Sequence, residues 1–151
     1  MAIFKLEDKQ EYLREVVGLT QREWGNYHND VEFEEKRNKK VEKIIAQFNQ
    51  NNFCILVLVE NQELLGFISL LPSDGDEKND LTPWYATMYV KEEHRGKGYS
   101  KKLNDAILKE AKERGFTKIY LKSDLVNYYE KFGARYLEKL NNGESLYCID
   151  L

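Results

Sequence analysis

The feature that most constrains this chain is the passage V-K-E-E-H-R-G-K-G-Y-S, from Val90 to Ser100. A short apolar run, Ala86-Thr87-Met88-Tyr89-Val90, enters it, and an amphipathic run beginning near Tyr99 leaves it. That second run carries Leu103, Ile107, Leu108 and Ala111 at helical spacing and stops at Gly115, a residue suited to the position just past a helix. Ile119-Tyr120-Leu121 then reads as a strand. Strand, helix and strand in this order make a right-handed parallel crossover, so part of the sheet must be parallel. A tight connector needs at most one glycine. Arg95-Gly96-Lys97-Gly98 has two, in a loop otherwise full of charge.

The remaining elements arrange themselves around this unit. Ile3 to Leu6 predicts a first strand. Asp8 and Glu11 have the spacing of a capping box ahead of a helix that runs to about Trp24. A second helix, starting after Asp30, is expected to carry Val41, Ile44, Ile45 and Phe48 on one face. Phe53 to Val59 and Leu64 to Leu71 form a hairpin around Asn61-Gln62, and Trp84 to Val90 is the next strand. Leu125 to Phe132 predicts a short helix ended by Gly133, and Tyr136–Leu140 with Leu146–Ile149 a closing hairpin over Asn141-Asn142-Gly143. The order is β-α-α-β-β-β-α-β-α-β-β, a mixed α/β sheet, and no linker or repeat divides it. One domain over residues 1–151 is expected.

Bulk properties narrow the class. A formal net charge of −3 argues against a nucleic-acid partner, and the basic residues interleave with acids, as in E-E-K-R-N-K-K-V-E-K. No apolar run is long enough for a bilayer, so no membrane partner is expected. M-A-I-F-K-L-E-D reaches acids too soon for a signal peptide, which makes the cytoplasm the expected compartment. Cys54 and Cys148 lie in apolar runs as small core residues. His28 and His94 are isolated, so no metal is expected.

A strand, a glycine turn and a helix N-terminus together form a phosphate-binding layout. The first N–H groups of the helix lack intrahelical acceptors, the helix dipole adds positive charge, and glycine lets an anion approach the backbone. The same two glycines could equally serve only to make the turn. A dinucleotide fingerprint G-x-G-x-x-G would need a small residue at Lys101, and the chain has no P-loop G-x-x-x-x-G-K-S/T.

With these residues in view, the chain resembles the GNAT superfamily of N-acetyltransferases. Arg95-Gly96-Lys97-Gly98-Tyr99-Ser100 is similar to that family's R-x-x-G-x-G/A acyl-CoA signature. Tyr128-Tyr129-Glu130-Lys131-Phe132-Gly133 is similar to its second motif, an aromatic residue or leucine followed by Y-x-K-x-G. Ser100 departs from the usual glycine or alanine, and Ala134 stands where a large apolar residue is common. The resemblance implies the acyl-CoA N-acyltransferase fold, with acetyl-CoA as co-substrate and the hinge amides around its pyrophosphate. Arg95, Gly96, Lys97, Gly98, Tyr99 and Ser100 are then cofactor-binding positions, with a solvated Lys97 side chain as the equal alternative. Met88, Tyr89 and Val90 would lie along pantetheine, and Asn127 could touch the cofactor or merely be a helix-surface residue.

Acetyl transfer to an amine needs a base for the amine, a donor for the oxyanion and an acid for the departing thiolate. The motif match puts the acid at Tyr129; Tyr128, or no protein acid at all, are the alternatives. The strand W-Y-A-T-M-Y-V offers no carboxylate, which leaves Asp80, Glu60 or a water chain as base, with His94 taken as solvated. Asp74 to Asp80 carries four acids against one lysine and could either attract cationic amines or serve only as a polar loop. The expected partner is a small-molecule or peptide amine, and the expected assembly a monomer or homodimer. The competing function is a non-catalytic acyl-CoA sensor on the same fold.

Overall fold

The computed structural model describes residues 1–151 except Asp76 and Asn79. Strand β1 (Ala2–Lys5) leads through two 3-10 turns to helices α1 (Leu13–Trp24) and α2 (Asp30–Gln47). Then come β2 (Cys54–Glu60), β3 (Glu63–Leu71), β4 (Trp84–Val90), α3 (Tyr99–Glu113), β5 (Lys118–Ser123), β6 (Ala134–Lys139) and β7 (Ser145–Asp150). The strands lie in the order β1-β2-β3-β4-β5-β7-β6, and among the described residues only β4 and β5 run parallel.

Both faces of the sheet centre are covered, which explains why β2 reads as an unbroken apolar run. Its alternate residues serve different layers. Cys54, Leu56 and Leu58 pack with Leu103, Ile107 and Ala111 of α3. Ile55, Val57 and Val59 pack with Val16 and Val17 of α1 and Ile44 of α2. Leu103 and Ile107 are completely buried, and each such side chain contributes about 1.5–3 kcal/mol of hydrophobic stabilisation. The β2–β3 hairpin turns at Asn61 (φ 51°) and Gln62 (φ 65°), the paired left-handed geometry that matches strand twist.

Two irregularities shape β4. Gly66 of β3 lies opposite Val90, and a Cβ there would come within 2.6 Å of the Tyr89 carbonyl oxygen. The β3–β4 register also slips between Phe67 and Ser69, where Thr87 takes φ 57°. A β-branched residue in that region is a genuine outlier, costing about 1–3 kcal/mol. On its other side β4 meets β5 at a single ladder pair, Trp84 with Tyr120. Beyond that rung the strands part.

Three expectations fail. Asp8 forms no capping box: the chain folds into 3-10 turns over Leu6–Asp8 and Gln10–Tyr12, and α1 starts after Tyr12 without a side-chain cap. Completely buried Leu6 pins this segment to the core before a regular helix can begin. Ile45 is 48% exposed, off the face that buries Ile44. The helix expected over residues 125–132 is only a 3-10 turn, Tyr129–Phe132. Ahead of it the Ser123 hydroxyl accepts the Leu125 N–H, and Asn127 sits at φ 59°, which interrupts any helix. Leu125 and Val126 are exposed and offer no buried face to stabilise one.

Candidate active site

The hinge after β4 is built mainly from backbone. The Lys91 N–H donates to Leu65 at 2.9 Å, and a 3-10 turn spans Glu92–His94. His94 is not simply solvated: its Nε2 lies 2.8 Å from Glu63 Oε1 and pins the turn to the β2–β3 hairpin. That contact holds the Glu63 carboxyl below its ordinary range. Glu63, Glu93 and His94 bring ligand-type atoms within 4.8 Å of one another, an exposed cluster that treating His94 as isolated had missed. Arg95 folds back, its Nε donating to the Val90 carbonyl at 2.8 Å while its guanidinium lies over the Tyr89 ring.

Gly96 (φ 79°) and Gly98 (φ 81°) both hold left-handed conformations, and a Cβ at either would meet no protein atom within 4 Å. Gly98 is the N-cap of α3 and offers no side-chain acceptor, and the first turn of α3 contains no acid. The leading N–H groups of the helix thus receive no side-chain cap. Gly96, Gly98, Tyr99 and Ser100 line a cleft of about 390 Å³ together with Met88, Tyr89, Val90, His94 and Arg95. Lys97 is exposed and lies outside its lining.

A second cavity, of about 480 Å³, opens where β4 and β5 diverge. Met88 and Trp24 line both spaces. Tyr129 lines the second one, edge-on to Tyr85 with ring centroids 6.1 Å apart. Burial, with a smaller contribution from Tyr128, pushes the Tyr129 phenol above its ordinary pKa, so it stays protonated at neutral pH. Tyr128 instead carries Lys131 Nζ over its ring and does not line the cavity. Asn127 is exposed and lines neither space. Glu60 and Asp80 are exposed and outside both linings, so neither suggested base faces the cavity. Asp76 lies outside the described residues.

Sequence reasoning overlooked Trp24, Lys122 and Glu144. Trp24 is 55% exposed at the end of α1 and meets Tyr89 edge-on at 6.2 Å. A large aromatic at a helix end was the only available signal. Lys122 and Glu144 come from β5 and the β6–β7 turn and line the Tyr129 cavity with Asp74. Separated so widely in the chain, they carry no motif.

The Acetyltransferase (GNAT) family matches residues 13–134. The chain belongs to that family. Its activity class is acetyl transfer from acetyl-CoA, and the mixed seven-stranded sheet is the family's fold. A solved aminoglycoside 6'-N-acetyltransferase complexed with coenzyme A superposes with a TM-score of 0.73 at 19% identity, covering 99% of this chain and 97% of that one. An aminoglycoside 6'-N-acetyltransferase from Enterococcus faecium gives 0.69 at 18% identity, with the same coverage. An N-acetyltransferase from Staphylococcus aureus Mu50 gives 0.75 at 19% identity, again covering 99% and 97%. No curated protein matches the sequence. Among the described residues, no helix is long and apolar enough to cross a membrane.

Proposed function

We propose that this GNAT protein transfers the acetyl group of acetyl-CoA to a small-molecule primary amine by direct attack on the thioester, with Tyr129 as general acid. The carrying observation is the position of Met88, on the wall between the hinge cleft and the Tyr129 cavity. A donor with its pyrophosphate at the α3 N-terminus and its pantetheine along the open edge of β4 would deliver its thioester toward Tyr129. The missing side-chain cap and the free space at Gly96 and Gly98 fit an anion at the hinge. The Arg95 side chain, bonded to Val90, shapes the end of the strand.

In the reaction the amine nitrogen bonds to the thioester carbonyl carbon, and the carbonyl π pair moves onto oxygen. Collapse of this tetrahedral species breaks the C–S bond, and the Tyr129 hydroxyl gives its proton to the departing thiolate. A phenol held neutral by burial is suited to that donation. The aminoglycoside enzymes among the similar structures support a small amine as acceptor.

The test is thiol release from acetyl-CoA across a panel of polyamines, aminoglycosides, amino acids and peptides. Tyr129→Phe should lower kcat roughly 10²-fold or more and leave acetyl-CoA affinity unchanged, as loss of a general acid does. A Tyr129→Phe enzyme within twofold of wild type at saturating substrate would remove Tyr129 from the mechanism.

A further inference from the structure

Given this reading of the site, the amine still needs a group to take its proton, and the cavity supplies one. Three segments distant in sequence meet on its wall: Asp74 from the loop after β3, Lys122 from β5 and Glu144 from the β6–β7 turn. We propose that Asp74 is the general base, and that Lys122 and Glu144 set its basicity and restrict the acceptor to cationic amines.

The geometry favours Asp74 over every carboxylate considered from sequence. Glu60 and Asp80 lie outside the cavity, whereas Asp74 lines the same space as Tyr129 and Met88. It is half-buried, and burial is the first cause lifting its carboxyl above the ordinary range, with Glu144 adding to the lift. Lys122 opposes it through space. Its Nζ lies 2.7 Å from where a Cβ on Gly75 would stand, so it reaches the loop beside Asp74. Glu144 is fixed rather than free: Asn142 Nδ2 donates to its carboxylate at 2.7 Å, and its own N–H donates to Asn142 Oδ1 at 2.9 Å. The remaining titratable groups facing this space, Tyr85 and Tyr129, are both pushed up by burial and stay neutral.

A carboxylate with an elevated pKa is a better proton acceptor, and catalytic bases work best when their pKa approaches the working pH. The acceptor enters as an ammonium, drawn by two carboxylates against one lysine. Asp74 first takes one proton from the ammonium and passes it to solvent. As the neutral amine then attacks the thioester carbon, the nitrogen's second surplus proton moves to the Asp74 oxygen while the Tyr129 proton leaves with the thiolate sulfur. Two protons thus leave the nitrogen through Asp74 and one reaches sulfur from Tyr129, so each turnover releases one net proton to solvent as both groups reset. An acceptor carrying a carboxylate beside its amine would meet Asp74 and Glu144 and bind poorly.

The experiment measures kcat/KM against pH with the amines of the thiol-release panel, in wild type, Asp74→Asn, Asp74→Glu, Lys122→Met and Glu144→Gln. Asp74→Asn should lose at least 10²-fold in kcat at neutral pH with unchanged acetyl-CoA affinity, and Asp74→Glu should recover part of it. Wild-type activity should fall as pH drops through the Asp74 pKa. That acid limb should move to higher pH in Lys122→Met, which loses the opposing cation, and to lower pH in Glu144→Gln. A turning-over wild type whose Asp74→Asn variant keeps its rate and its acid limb overturns the base while leaving the transfer reading intact. Limbs that stay put in both neighbour variants also overturn it. A folded wild type that releases no thiol with any amine overturns the transfer reading, and the base with it.

Discussion

Helix α2 begins at Asn29, whose side chain accepts the Glu32 N–H at 2.9 Å, while the Glu32 carboxylate accepts the His28 N–H at 3.1 Å. Asp30 and Glu32 add negative charge in its first turn. Helix α3 begins at Gly98, with no side chain to offer and no acid in its first turn. The first terminus caps one of its own donors and answers its dipole, and the second does neither. The difference teaches that an unsatisfied helix end can be recognised by what the chain withholds as well as by what it places there.

The sharpest way to break this contrast is to close α3 as α2 is closed. Ser100→Glu places an acid in the first turn, where it should hold or raise stability by about 0.3–1 kcal/mol. The same charge faces the proposed pyrophosphate site, and like-charge juxtaposition costs several kcal/mol, so the acetyl-CoA Kd should rise roughly 10²-fold or more. Calorimetry and thermal melts on one sample would read both signs. Unchanged affinity would mean that the phosphates sit elsewhere.

A smaller perturbation removes the glycine without adding charge. Gly98→Val forces a β-branched residue to φ 81°, so stability should fall by about 1–2 kcal/mol. Binding should weaken as well, whereas Gly98→Asn, which tolerates the left-handed region, should lose much less stability. Equal melting temperatures for the two variants would show that the hinge can relax into another conformation. The smallest effect is expected at the closed end. Asn29→Ala should cost about 1 kcal/mol of stability and leave acetyl-CoA binding untouched; an altered Kd would couple the two termini.

Elements governed by local signals were legible in the sequence. The hairpin turn at Asn61-Gln62, the β4 strand, the double-glycine hinge and the stop of α3 at Gly115 each follow from residues within a few positions of one another. Residues 125–132 were misread because their apolar letters suggest a helix, yet Val126 is 81% exposed and the segment has no core to face. The capping box at Asp8 failed because burial of Leu6 overrode a local pattern. Within the candidate site, the hinge and Tyr129 carried motifs. Asp74, Lys122 and Glu144 did not, since their meeting depends on how far β4 and β5 part, a tertiary property with no local spelling.

The lone rung between Trp84 and Tyr120 also bears on how the molecule comes apart. Strands β1 to β4 form one continuous ladder and β5, β7 and β6 another, joined by that pair and by the Tyr120 N–H donating to Pro83. Completely buried Trp84 sits at the joint with Leu140 and Leu146, and α3 straps the halves together through Ile107 and Ala111 against Ile119 and Leu121. With so few shared rungs, the last three strands are expected to open as a foldon of their own, below the global unfolding free energy. Amide exchange would then divide between β4 and β5 into two populations, and a donor lying along β4 would slow exchange on the side it covers.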